Sequence, residues 1–189
     1  PEKAVNVEAG LAWEKGAISV DAALFRRDGT DVIDFVRSSP SGPYRATNLR
    51  SVDTTGLEAT ASADLSRLAG TPLARVALRA ALYHAALAPL PPGTEGRYVL
   101  DPLRFRWDLV AEALLPFRLD ALARLSYFDR PSFAGPVLLL DARLSWDAFD
   151  GQLLELYLEG ENLGDARYEE VPGVPLPGRA LAAGLRLAW

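Results

Sequence analysis

In the last segment of the chain, Leu181, Ala183, Leu185, Leu187 and Trp189 occupy every second position, with Ala182, Gly184, Arg186 and Ala188 between them. Side chains of a strand alternate between its two faces, so this spacing commits the segment to a β-strand with one greasy face. The preceding segment sets Leu154, Leu156 and Leu158 against Glu155, Tyr157, Glu159 and Glu161. Two more follow the rule. Leu140, Ala142, Leu144 and Trp146 oppose Asp141, Arg143, Ser145 and Asp147, while Phe117, Leu119, Ala121, Ala123, Leu125 and Tyr127 oppose Arg118, Asp120, Leu122, Arg124 and Ser126. A face that carries this many ions must stay wet, and the opposite face must meet something apolar.

Turn-forming residues cut the chain into nine segments. The breaks fall at 14–16, 38–44, 66–72, 87–97, 115–117, 129–136, 147–151 and 164–178, most of them rich in Gly, Pro, Ser and Asp. Short and long breaks alternate along the chain. An up-and-down barrel in the bacterial outer membrane has short periplasmic turns and long extracellular loops, which yields that rhythm; a soluble sandwich has no reason to sort its loops in this way. The predicted fold is therefore all-β, an antiparallel up-and-down transmembrane barrel segment of about nine strands, its apolar face outward and its charged face lining the lumen. Parity assigns Arg118, Arg124, Asp141, Arg143, Glu155, Tyr157, Glu159, Glu161 and Arg186 to that lumen wall.

The same parity turns Trp13, Phe117, Trp146 and Trp189 outward, each near a short turn or the terminus, as expected of an aromatic girdle at one membrane interface. Tryptophans near strand ends also occur in soluble sheets, so the girdle depends on the alternation around it. Residues 72–87 pull the other way. Rich in Ala, Leu and Arg, they suit a helix as well as a strand. Residues 103–125 share the ambiguity, although the common parity of Arg104, Arg106, Asp108 and Glu112 favours a strand.

Composition removes several function classes. Apolar residues make up 49% of the 189 and charged residues 24%, and the most apolar stretches are interrupted by charge within a few positions, so a helical membrane span is not expected. A net charge of −5 without basic blocks gives nucleic acid no surface. The chain has no cysteine and one histidine, His84, which leaves neither a thiolate metal site nor a His cage. No nucleophile elbow, Walker sequence or dinucleotide fingerprint occurs, and Asp28, Asp31 and Asp34 miss the EF-hand spacing. No enzyme activity and no cofactor are expected. There is no methionine even at position 1, and nine crossings are odd where single-chain bacterial barrels are even; the expectation is a segment of a longer chain with at least one strand upstream.

The stretch "LEGENLGDARYEEVPGVPLPGRALAAGLRLAW" resembles the C-terminal end of TonB-dependent outer-membrane receptors, through Glu161, Asn162, Leu163, Asp165, Tyr168, Pro172, Gly173, Pro177, Gly178, Arg179 and Trp189. "PEKAVNVEAGLAW", "ALFRRDGTDVIDFV" and "TTGLEATASADL" are similar to strands of the same family, in the same order. Position 164 is glycine where phenylalanine is frequent, position 174 valine where an aromatic is frequent, and the terminus tryptophan rather than phenylalanine.

The resemblance implies that residues 1–189 are the C-terminal portion of a 22-strand type barrel, without the plug domain, coupling box, signal peptide and upstream strands. It implies a receptor in the outer membrane of a Gram-negative type cell that binds a scarce ligand such as a ferric siderophore, cobalamin or a similar chelate. Its partners would be outer-membrane lipid, its own plug domain and remaining barrel strands, TonB indirectly through the plug, and the small-molecule ligand. The loop residues to watch for ligand contact are Tyr44, Arg45, Arg97, Tyr98, Phe133 and Tyr168. Two alternatives stay open at this point: a small self-contained outer-membrane barrel serving as pore or adhesin, and a soluble all-β binding domain.

Overall fold

The structure, a computed structural model, describes residues 1–39, 41–66, 71–88, 90, 92–96, 103–130, 135–149, 154–171 and 174–187. Its strands are β1 (Lys3–Lys15), β2 (Ile18–Arg37), β3 (Arg45–Asp64), β4 (Leu73–Leu87), β5 (Glu95–Gly96), β6 (Phe105–Leu115), β7 (Leu119–Asp129), β8 (Val137–Asp147), β9 (Leu154–Glu161), β10 (Glu169–Val171), β11 (Val174–Pro175) and β12 (Ala180–Leu187). Nine of them form one antiparallel meander in the order β1-β2-β3-β4-β6-β7-β8-β9-β12. β5 adds to the end of β2, and β10 and β11 pair as a small hairpin within the last long loop. β1 and β12 end the path and do not pair with each other.

Each of the nine segments marked out by turn signals is one long strand. Connections 16–17, 65–72, 116–118 and 148–153 lie at one end of the sheet, and 38–44, 88–104, 130–136 and 162–179 at the other, so the longest loops share an end. β4 is a strand despite its helical composition. It is hydrogen-bonded along its length to β3 and β6, and a two-sided ladder outweighs propensities that differ by less than about 1 kcal/mol per residue.

Register carries the two faces unbroken across the sheet. One row runs Ala182–Glu159–Arg143–Leu122–Glu112–Arg75–Asp64, and the row beside it, on the opposite face, runs Leu181–Gly160–Ala142–Ala123–Ala111–Val76–Ala63. A one-residue slip anywhere would bring ions to the greasy face, so every pair fixes the next.

Between the two faces there is no core. Only Ala77, Phe128 and Val137 are buried hydrophobic residues among those described, and no large side chain is fully buried. The accessible surface is 13003 Å², whereas a globular monomer of this mass exposes about 8,800 Å². On the apolar face Leu11, Leu24, Leu78, Leu140, Leu144, Leu158, Leu181, Leu185 and Leu187 stand exposed. A soluble all-β domain would have packed these leucines against a second layer, at roughly 1.5–3 kcal/mol for each one buried. Here they face outward together.

Because β6 crosses the middle of the sheet, Leu109→Arg places a cation at mid-depth on the apolar face. In the full-length protein reconstituted in lipid vesicles, denaturant unfolding is expected to show a loss of roughly 2–4 kcal/mol. Leu114→Arg, on the polar face of the same strand, is expected to cost under about 1 kcal/mol. Equal effects from the two would show that the faces are not differently solvated.

Candidate functional site

The polar face of β8, β9 and β12 is organised by Arg143. Its guanidinium meets Glu155 at 2.6 Å and Glu159 at 3.5 Å, and it lies 4.0 Å over the Tyr157 ring. Arg186 reaches the other oxygen of Glu155 at 3.3 Å. Tyr157 lies flat because Gly184 is opposite it in register; a Cβ there would fall 2.4 Å from Tyr157 Cζ. The same device recurs on β3, where Gly56 lets Phe25 and Tyr83 meet at 5.9 Å and Tyr83 donates its hydroxyl hydrogen to Glu58. Further along, Arg106 pairs with Asp108 at 2.7 Å, and Asp108 also accepts from the Ser126 hydroxyl at 2.6 Å. Shared pairs of this kind leave carboxylates and guanidiniums satisfied on a wet wall without a buried charge.

At the long-loop end of β9 the chain ties a knot. Asn162, only 6% exposed, bonds Ala166 in both directions: its amide nitrogen donates to the Ala166 carbonyl and its amide oxygen accepts the Ala166 N–H, each at 2.9 Å. Asp141 accepts the Asn162 N–H at 2.9 Å, and Asp165 accepts the Arg179 N–H at 3.0 Å. Gly178 is required there, since a Cβ would lie 2.6 Å from the Asp165 carboxylate. Asn162 and Asp165 take positive φ values of 47° and 54°, which asparagine and aspartate tolerate better than most residues. The knot therefore holds the start of β12 in register with β9. Tyr168, in the same loop, packs edge-on against Phe128 at 5.5 Å.

β2 and β3 run beyond the rest of the sheet. β1 begins opposite Thr30, yet β2 and β3 continue pairing to Val36 and Arg45, past an irregularity at Asp31 with φ 57°. β5, from the 88–104 connection, joins the free edge of this extension at Val36 and Arg37. Arg37 clasps Glu95 at 2.6 Å and lies 4.9 Å over Tyr44, and its hydrogen bond to Glu95 raises the guanidinium above its ordinary value. Asp34, 5% exposed, packs beneath Gly96. Two long loops are thus tied into one projecting body.

A family model described as TonB dependent receptor-like, beta-barrel matches residues 1–163. The chain belongs to this family. Among solved structures, it is similar to the FrpB iron transporter from Neisseria meningitidis (F3-3 variant), at 15% identity and TM-score 0.72 over 97% of this chain and 31% of that one. It is similar also to the copper transporter OprC, at 16% identity and TM-score 0.69 over 98% and 31%. A third is the ferric yersiniabactin uptake receptor FyuA from Yersinia pestis, at 17% identity and TM-score 0.66 over 98% and 28%. The chain thus spans under a third of the length of these structures, and at such identities the likeness speaks for the fold. No curated protein matches it.

Of the residues that parity assigned to the wall, Arg124, Asp141, Arg143, Glu155, Tyr157, Glu159, Glu161 and Arg186 share one face of the receptor-type sheet. Arg118 does not. It falls in the tight turn at Pro116–Arg118 with φ 61°, where strand alternation no longer aims a side chain. Trp13 and Trp146 mark the short-turn end of the apolar face, while Phe117, in the same turn as Arg118 with φ 65°, is 86% exposed and is assigned to neither face by strand alternation. Tyr44, Arg45 and Tyr168 are at the long-loop end, while Arg97, Tyr98, Phe133 and Trp189 lie outside the described residues. His84 stands exposed on the apolar side of β4.

The sequence reading missed a second aromatic group on the apolar face near the long-loop end. Trp107 stacks on Tyr127 at 5.8 Å, and Phe105 meets the same ring edge-on at 5.9 Å. The signal was the shared parity of 105, 107 and 109 with 125 and 127, which the helix ambiguity over 103–125 obscured.

Replacing Asn162 by alanine strands the Ala166 N–H and carbonyl. The expected loss is about 1–3 kcal/mol, read as faster hydrogen exchange confined to the β9–β12 ladder of the intact protein. Unchanged protection of residues 180–187 would mean that the knot does not hold β12.

Proposed function

We propose that this chain forms the closing wall and part of the extracellular mouth of an outer-membrane active-transport receptor for a scarce chelate. One observation carries the reading: a member of this family presents nine strands with one greasy face and one ionic face and no core between them. Such a sheet is stable only where hydrocarbon meets one side and water or a polar domain the other. On this reading the aromatic residues at 13 and 146, with Phe117 in the adjoining turn, and those at 105, 107 and 127 sit at the two membrane interfaces. The remaining strands and a plug domain that fills the bore belong to the rest of the receptor, and TonB acts on the wall only through that plug.

Ligand recognition falls to the long-loop end. The tied β2–β3 extension offers Tyr44 and Arg45, the last long loop offers Tyr168, and Arg97, Tyr98 and Phe133 complete the set. Aromatic and cationic side chains suit an anionic, ring-bearing chelate. Structural relatives that include an iron transporter, a copper transporter and a ferric yersiniabactin uptake receptor put metal chelates first among candidates. No step breaks or makes a covalent bond in the ligand.

The test uses the full-length gene in its own cell. Uptake of radiolabelled ferric siderophores, cobalamin and copper chelates is compared in wild type, deletion and uncoupler-treated cells. One of these is expected to lose uptake on deletion and on collapse of the proton-motive force, and Arg45→Ala to weaken its binding roughly 3–30-fold. Fractionation of the protein away from the outer membrane, or uptake that never depends on it, would sink the proposal.

A further inference from the structure

The greasy face of β2, β3 and β4 gives way to ions near its long-loop end. Arg26, Thr55 and His84 lie side by side in one register row, and Asp28 and Asp53 lie side by side in the next like-facing row, about 7 Å nearer the long loops. Both rows share parity with Leu24, Leu57 and Leu82, which form the row directly below, so all these side chains leave the sheet on the apolar side. The Arg26 side chain is 64% exposed, and Asp53, Thr55 and His84 are exposed as well.

The short turns give a common level from which height can be counted. On β6 and β7 the outward residues eight positions from the short-turn end are Trp107 and Tyr127, which stack on each other; eight positions from the same end of β2 stands Arg26. The charged rows therefore take up, on β2–β4, the band that aromatic rings occupy on β6 and β7. A lipid-facing charge is costly at the middle of the hydrocarbon and tolerated at headgroup depth, so this height suits them.

Bonding capacity within the patch is left over. Arg26 donates from Nε to Asp28 at 2.8 Å, and its side chain makes no other hydrogen bond or ion pair among the described residues. The side chains of Asp53, Thr55 and His84 make none among those residues. Their order along the strands is apolar, then donor, then acceptor: three leucines, then a guanidinium, a hydroxyl and an imidazole, then two carboxylates. A phospholipid that ends in a primary amine has the same order from the bilayer outward, namely acyl chain, phosphate, ammonium.

We propose that Arg26, Thr55 and His84 bind the phosphate, and Asp53 the ammonium, of a glycerophospholipid with an ethanolamine headgroup in the leaflet on the long-loop side. Asp28 holds the guanidinium by Nε and leaves its terminal N–H groups for the phosphate. A phosphatidylglycerol headgroup brings no cation to Asp53, and the quaternary ammonium of phosphatidylcholine has no N–H to donate to it. The proposal rests on the reading of the apolar face as lipid-facing.

The test reconstitutes the full-length receptor in nanodiscs of phosphatidylethanolamine, phosphatidylglycerol and phosphatidylcholine in equal amounts, and native mass spectrometry counts the lipid that stays bound on release into detergent. Phosphatidylethanolamine is expected to be retained roughly 3–10-fold over each of the others. Asp53→Asn is expected to remove its advantage over phosphatidylglycerol, and Arg26→Gln to weaken retention of all three lipids. Equal retention by the wild type, or a preference that Asp53→Asn leaves intact, overturns the proposal. A second measurement needs no substitution: a water-soluble carbodiimide joins the amine of phosphatidylethanolamine to a carboxylate in contact with it, and peptide mass spectrometry is expected to find the lipid on Asp53. Lipid on other carboxylates only, or on none, counts against the site. Displacement of the phospholipid by a lipid A that carries phosphoethanolamine overturns the choice of source. A receptor recovered outside the membrane fraction removes the functional reading itself, whereas an embedded receptor without headgroup preference removes only this site.

Discussion

A backbone that enters hydrocarbon must carry its own hydrogen-bond partners, because an unpaired N–H or C=O there costs several kcal/mol. Every other feature of this chain follows from that demand. Nine strands lie side by side so that each inner one is bonded on both edges. Once the ladders are set, alternation decides which side chains meet lipid and which meet water, and the decision made at one pair propagates from β12 to β1. The leucines need no core, since the solvent on their side is as apolar as they are. What would be a fatal exposure in water is here the stable arrangement.

The register itself has to be pinned, and the pins are not the leucines. A greasy face slides over lipid without preference, so specificity comes from the wet face and from the ends. Tyr157 lying on Gly184 under Arg143, and Phe25 with Tyr83 around Gly56, each fit at one register only, because any side chain at the glycine would clash within 3 Å. The Asn162 knot does the same at the loop end. Its four contacts bring the last long loop back onto β9 at a fixed height, so β12 begins opposite Glu161 and nowhere else.

How much of this could be read from residues alone depends on whether the signal was periodic. The alternation in β7, β8, β9 and β12 is strong because large apolar and ionic residues take turns, and parity named eight of the nine wall positions on one face. Arg118 failed for a local reason: the parity was carried two residues into a turn, where Phe117 and Arg118 both adopt positive φ. In β4 and β6 the alternate positions hold many alanines, which are small enough for either environment, and helix propensity then competes. The ladder from β3 to β7 resolves the competition, and no single-segment argument contains that information. Contacts between loops were the least legible. Nothing in the spacing of Arg37, Tyr44 and Glu95 says that they meet; the extension of β2 beyond β1 leaves an open edge, and β5 fills it.

That extension changes how the mouth works. Loops at a barrel rim are usually independent, each free to fold over a ligand by itself. Here the 38–44 turn and the 88–104 connection share a strand pair, an ion pair and a ring contact, with the Asp34 carboxylate packed beneath. Moving one therefore means moving both, or breaking the strand pair and the Arg37–Glu95 clasp together. A rigid projecting hairpin loses little conformational entropy on binding, which raises the affinity obtained from each contact. It also presents its side chains at a fixed height above the wall. On the proposed function, ligand selection at this mouth is set more by the shape of a preformed surface than by closure around the ligand.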